Sequence, residues 1–384
     1  MPEINEILKF CVQSGASDIL IVPGEIPIMR INGDLRKIPN LPPPPVAECQ
    51  RWIYAMLDER QRKTYEVTWD LDCAYIIPNV ARFRLNVFVQ SNGPAAALRV
   101  INAEIPSATE IALEPQIAAL ANLPRGLVLV TGPTGSGKTT TLACLIESIN
   151  KTKNKHILTI EDPIEFAYKN KSSVIQQREI GRHTESFRNA LKYALRQNPD
   201  IILVGEMRDA ETIGLALTAA ETGHLCFSTL HTLDAPSTIG RIIDEFPAEM
   251  HDKIRAQLST VLQAVVCQAL LPRGDGPGRV CAREVMVMNS AIAALIRDGK
   301  IHQIPTAMEA GGNMGMVTLD QSMANLVQNG VVTLEEGLAK SRDSDNFKRL
   351  VKSRGVGQRA AEAALNDPLA MQQAEHVNNL LTNR

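Results

Sequence analysis

Residues 127–149, LVLVTGPTGSGKTTTLACLIESI, change character twice. Four apolar residues, 127–130, have the composition of a buried strand. Gly132-Pro133-Thr134-Gly135-Ser136-Gly137-Lys138-Thr139 then matches G-x-x-x-x-G-K-[ST] in full. Beyond it, Leu142, Leu145, Ile146 and Ile149 recur at helical spacing. Strand, glycine-rich turn and helix in this order form a phosphate-binding loop. Glycines let successive backbone N–H groups curl around phosphate oxygens, and the helix start adds its positive end. Lys138 is expected to reach the β- and γ-phosphates, and Thr139 to give its hydroxyl to Mg²⁺. The residues expected to bind nucleotide here are therefore Gly132, Pro133, Thr134, Gly135, Ser136, Gly137, Lys138, Thr139 and Thr140.

Working downstream, short apolar runs at 157–160, 201–204 and 226–229 alternate with helical patterns. Such runs suit a parallel sheet covered on both faces, which makes this region α/β. Upstream, the first hundred residues read as a small α+β unit. Helices are predicted over 3–13 and 46–57, and short strands over 19–22, 28–31 and 35–38, with Asn32-Gly33 turning the chain. In the strand 81–89, Phe83, Leu85, Val87 and Val89 share one face, and Arg82 and Arg84 the other. The strand 95–101 adds Arg99, so this hairpin is a solvated sheet face or an anion-facing surface. The boundaries read as 1–101 for the N-terminal domain, 102–115 for a linker, 116–355 for the phosphate-loop domain and 356–384 for a polar tail.

The 384 residues carry 40 basic and 42 acidic side chains, a formal net charge of −2, and 4% aromatic residues. Near-neutral charge and few stacking platforms count against nucleic-acid binding. The most apolar long run, 258–271, is too short to span a membrane and contains polar residues. MPEINEILKF lacks the basic start of a secretory signal. Seven scattered cysteines without a CxxC pair fit small buried hydrophobes rather than a disulfide framework or a zinc site.

Three further segments carry chemistry. In 200–206, DIILVGE, a buried strand delivers Glu206 where ligands sit in open α/β sheets. Glu206 is placed to orient or deprotonate an attacking water. Gly205 stands where a metal-holding aspartate is usual, so metal contact from this strand is expected to be indirect. In 159–165, TIEDPIE, Glu161, Asp162 and Glu165 crowd another strand exit and call for an offsetting cation or arginines. His224 and His231 bracket the strand at 226–229 with a spacing that does not suit zinc. They read either as reporters on phosphate or as structural histidines in polar networks.

The segments GLVLVTGPTGSGKTTTL, HILTIEDPIEF, PDIILVGEMRDAETI, LALTAAETGHL and STLHT together resemble the secretion and type IV pilus ATPase family, and within it the twitching-motility retraction ATPases. The resemblance runs over roughly residues 3–335. It implies a PAS-like N-terminal domain, a RecA-like P-loop ATPase domain and ATP hydrolysis that drives pilus retraction. It also implies a homo-hexamer at the cytoplasmic face of the inner membrane, working with an inner-membrane platform protein, with related pilus ATPases as further candidate partners, without inserting into the membrane. Carried over by position, it makes Glu165 and Glu206 catalytic, gives His224 and His231 to the nucleotide, and sends Arg84 and Arg99 to the γ-phosphate.

One departure falls in the segment AIAALIRD, 291–298. Two alanines there replace the arginine and asparagine of the family's retraction segment. That keeps an accessory retraction motor, or a pilus-assembly or secretion motor of the same family, as the alternative. A nucleic-acid motor and a non-hydrolysing ring subunit stand further off.

Overall fold

The computed structural model describes residues 2–31, 33–101 and 104–353. The turn expected at Asn32, the first residues of the expected linker and the tail at 356–384 lie outside the described residues. The chain divides into two compact units. One comprises Met1–Ile105 with Glu161–Tyr168 and Glu179–His183; the other comprises Pro106–Ile160, Lys169–Arg178 and the chain from Thr184 onward.

The first unit holds helix α1 (Ile4–Gln13) and strands β1 (Asp18–Ile21), β2 (Ile28–Ile31) and β3 (Asp34–Lys37). Helices α2 (Val46–Met56) and α3 (Glu59–Thr68) follow, then strands β4 (Asp70–Ile77), β5 (Ala81–Gln90) and β6 (Gly93–Ile101). The strands form one antiparallel sheet in the order β3-β2-β1-β6-β5-β4. Helix α1 buries Ile4, Ile7, Leu8 and Cys11, and α2 buries Cys49, Trp52, Ile53 and Met56. Phe83, Leu85 and Val87 from β5 complete this core. Each such side chain contributes roughly 1.5–3 kcal/mol by leaving water. Sequence periodicity missed α3 because it buries only Tyr65. Its start was nonetheless signalled by the capping box Asp58–Gln61, in which each side chain accepts from the other residue's backbone N–H.

The second unit contains strands β7 (Gly126–Thr131), β8 (His156–Glu161), β9 (Val174–Glu179), β10 (Ile201–Val204), β11 (Leu225–Leu230), β12 (Leu262–Pro272) and β13 (Arg279–Val287). Their order is β13-β12-β7-β11-β10-β8-β9. Strands β12, β7, β11, β10 and β8 run parallel, and β13 joins β12 antiparallel. Every residue of β7, β10 and β11 is buried, which explains their largely apolar sequence. Helices α4 (Pro115–Ala118), α5 (Lys138–Thr152), α6 (Phe187–Ala194), α7 (Ala210–Glu221), α8 (Ala235–Asp244) and α9 (His251–Val261) alternate with these strands. Helices α10 (Ser290–Arg297), α11 (Ile304–Ala310), α12 (Leu319–Gln328), α13 (Leu334–Lys340) and α14 (Ser344–Lys352) follow β13.

The apolar run at 258–271 is the end of α9 running into β12. Among the described residues no helix is long and apolar enough to cross a membrane. The cysteines are all unpaired, and all but Cys281 are buried. Residues after Ser341 include α14, whose Phe347 is fully buried against Leu319, Met323 and Val332.

Candidate functional site

The loop between β7 and α5 is shaped by three glycines at positive φ. They are Gly132 (139°), Gly135 (79°) and Gly137 (91°), the last serving as the N-terminal cap of α5. Side chains are excluded at Gly132, where a Cβ would fall 2.4 Å from the Gln268 carbonyl oxygen. At Gly135 and Gly137 a Cβ would meet nothing within 4 Å, so positive φ rather than crowding calls for glycine there. Ser136 is buried, and its Oγ has no hydrogen-bond partner among the described residues. A buried hydroxyl inside an amide-lined turn is a donor in want of an acceptor, and an anion satisfies it. Lys138 is 8% exposed, and its Nζ donates to the carbonyls of Gly132 (2.8 Å) and Pro133 (3.1 Å) across the loop. Thr139 and Thr140 are half-buried at the start of α5. The donor set thus fits a polyphosphate. Beside the loop a cavity of about 440 Å³ extends between Ser136, Gly137 and Thr140, strand β13 and the segment 110–112.

The strand order β7-β11-β10 brings the C-terminal ends of these parallel strands to one edge. Glu206 follows β10 there, and His231 follows β11. The Glu206 carboxylate accepts from Arg208 Nη2 at 2.7 Å and lies 3.2 Å from His231 Nε2. Burial raises its pKa, but the Arg208 and His231 contacts outweigh burial and hold it below the usual carboxylate range. Glu206 is therefore ionised at neutral pH, the state a base requires. Gly205 is tied into the sheet, its N–H donating to Ile160 O at 2.7 Å and its carbonyl accepting from Thr229 Oγ1 at 2.6 Å.

The second histidine stands apart. His224 precedes β11, at the opposite end of that strand from His231, roughly 20 Å away at about 3.3 Å per residue. Its Nδ1 lies 2.9 Å from Ala219 O and 3.2 Å from Thr222 Oγ1, which closes the C-terminal turn of α7. His224 thus contacts the last turn of α7, while His231 lies at the Glu206 end of the sheet.

In the first unit, Arg84 and Arg99 are directly opposite on β5 and β6, and Asp18 on β1 opposes Arg99. Arg84 Nη2 donates to Asp72 (2.7 Å) and Arg99 Nε to Asp18 (3.0 Å). The Asp72 bond favours the Arg84 cation despite partial burial, and the charges of Asp72, Glu165 and Asp162 add to it. A groove of about 260 Å³ lies over these residues. The sequence reading missed Asp72 and Asp18, because carboxylate partners on neighbouring strands have no fixed spacing along the chain. Arg82, read as sharing a face with Arg84, has a different fate. It is largely buried, and its Nη2 meets Glu179 Oε2 at 2.5 Å. The same carboxylate oxygen accepts from Ile164 N–H at 3.2 Å. Arg82 thus anchors the acidic segment that carries half-buried Glu165.

Among the described residues no group of three or more His, Cys, Asp or Glu is arranged to hold a metal ion. The sequence profile of the family described as "Type II/IV secretion system protein" matches residues 1–339. The chain is 47% identical over 345 residues to the type IV pilus retraction ATPase PilT of Pseudomonas aeruginosa, covering 90% of this chain and 100% of that protein. It is 49% identical over 321 residues to a twitching motility protein of Neisseria gonorrhoeae, covering 84% and 86% of the two chains. The crystal structure of the pilus retraction motor PilT with bound ADP superposes with a TM-score of 0.85 at 43% identity, covering 91% of this chain and 100% of that one.

Proposed function

The chain belongs to the type II/IV secretion system protein family, and from that premise we propose that it is an ATPase motor that drives type IV pilus retraction. The observation that carries this reading is the complete phosphate loop of the second unit, at the same strand-end edge of the sheet as an ionised Glu206, in a chain alike over nearly its whole length to a retraction ATPase. The triphosphate lies against the amides of 133–139, and Lys138 exchanges two neutral carbonyls for phosphate oxygens, a stronger charge-assisted contact. Base and ribose enter the adjoining cavity, where Thr140 stands at the entrance to α5. Thr139 offers its hydroxyl to Mg²⁺, which when bound neutralises charge developing on the β- and γ-phosphates. Glu206, oriented by Arg208 and His231, takes up a proton from the attacking water.

Glu165 as a second catalytic acid, and Arg84 with Arg99 as γ-phosphate ligands, follow from the family resemblance. These arginines are presented on one sheet face by aspartates that a phosphate can outcompete. The working form on this reading is a ring of six at the cytoplasmic face of the inner membrane, acting on a platform protein. Deleting the gene in the source organism tests the function. Excess surface pili and loss of surface crawling are expected; bare cells would instead indicate an assembly motor.

A further inference from the structure

The segment 107–114 reads from sequence as a featureless connector, yet it is a closed turn within the second unit. Leu113 N–H donates to Ala108 O at 2.8 Å, and Glu110 Oε2 accepts from both the N–H (2.6 Å) and the hydroxyl (2.7 Å) of Ser107. Ala112, a non-glycine residue, is held at φ 45°. The clamp is Arg283 of β13, only 3% exposed. Its Nη1 donates to Ala112 O and to Glu114 Oε2, each at 2.9 Å, and its Nη2 donates to Ile111 O at 2.9 Å. A planar guanidinium can serve three acceptors on one backbone turn; an ammonium cannot span them.

Gln268 lies directly opposite Arg283 across the β12–β13 pair. Its Nε2 donates to Thr141 Oγ1 on α5 at 2.8 Å. A row of buried polar groups therefore runs from the phosphate-loop helix through Gln268 and Arg283 to the 107–114 turn, and every member borders the 440 Å³ cavity. Arg283 Nε and Gln268 Oε1 are both buried without a hydrogen-bond partner among the described residues. A donor and an acceptor left unpaired on facing residues beside one cavity point to a ligand with complementary polar edges, as a nucleobase has.

We propose that Arg283 is a positioning residue for nucleotide binding: with Gln268 it sets the 107–114 turn as a wall of the base-and-ribose cavity, so that filling the cavity is transmitted to the turn. This rests on the nucleotide reading above. The turn immediately precedes the helical start of the ATPase region at α4, so it is placed to pass on nucleotide state.

The test uses the full-length protein with and without a non-hydrolysable ATP analogue. Hydrogen exchange of 107–114 should slow on binding in the wild type and stay unchanged in Arg283→Ala. That variant should raise KM for ATP about tenfold with kcat within about twofold, the pattern of lost uniform binding. Glu114→Gln, which keeps an acceptor but removes the charge from a partly exposed partner, should fold normally and lose part of the protection. No binding by the wild type overturns the nucleotide reading, and this inference with it. Binding without protection of 107–114, or equal protection in wild type and both variants, overturns this inference alone.

Discussion

At the residue scale the site turns on a few groups whose chemistry is set by immediate neighbours. Lys138→Ala should abolish nucleotide binding, read by calorimetry, because no other cation lies in the loop itself. Glu206→Gln should keep binding but slow hydrolysis by about 10²–10⁴-fold, the range ascribed to a positioned base. The pKa of Glu206 is depressed, so the base is lost only as pH falls below the ordinary glutamate range. A profile of kcat against pH should therefore show no acid limb from this group between pH 5 and 7 (about the span where an unperturbed carboxylate is already ionised). An acid limb in that window that disappears in Glu206→Gln would contradict the assignment. Gly132→Ala should destroy the loop, since the added Cβ collides with the Gln268 carbonyl at an already forbidden φ. Loss of nucleotide binding with unchanged far-UV circular dichroism is the expected result.

Two contacts at the scale of elements decide how pieces are held. Arg82 and Glu179 form a buried pair that anchors the acidic segment. Arg82→Ala strands a carboxylate with 3% side-chain exposure and should cost about 3–5 kcal/mol in denaturant unfolding. Glu284 is 4% exposed, and its two oxygens accept the N–H of Ala235 at the start of α8 (2.8 Å) and of Leu319 at the start of α12 (3.2 Å). Burial raises its pKa, and the two backbone bonds only partly restrain the rise. A raised folded pKa means a stabilising contribution present below the ordinary glutamate value and lost as pH rises through the folded value. Glu284→Gln should flatten that part of the stability–pH curve. It should also cost about 1–3 kcal/mol, because its amide N–H₂ must face one backbone N–H. Urea titrations across pH for both proteins check both effects.

For the molecule as a whole, the proposed ring requires that nucleotide-bound protein sediment as a hexamer; a monomer at working concentrations with ATP and Mg²⁺ would remove the ring from the mechanism. The altered segment 291–298 coincides with α10. There Ile292 and Ile296 are buried, whereas Ala293 and Ala294 are half-buried and Arg297 is exposed. The substitutions relative to the retraction segment therefore fall at half-buried positions of that helix and leave its two fully buried isoleucines in place.

The phosphate loop, the parallel strands and Glu206 were legible because each depends on contiguous residues. A glycine pattern, a run of apolar side chains and an acid at a strand end are local statements about backbone freedom and burial. The strands at 201–204 and the helix starting at 46 fell where periodicity placed them. What the chain order could not express was pairing across distance. Arg82 and Arg84 look equivalent in a β-strand alternation, yet folding buries one against Glu179 and leaves the other in an exchangeable pair with Asp72. His224 and His231 look like a pair in sequence, but the length of β11 separates them. Arg283 and Gln268 carry no motif at all. Their role arises only because antiparallel pairing sets them face to face beside a loop and a turn far away in sequence. Local chemistry is written in neighbouring residues, whereas partner choice is decided by the packing that excludes water and leaves each buried charge or donor only the acceptors within reach.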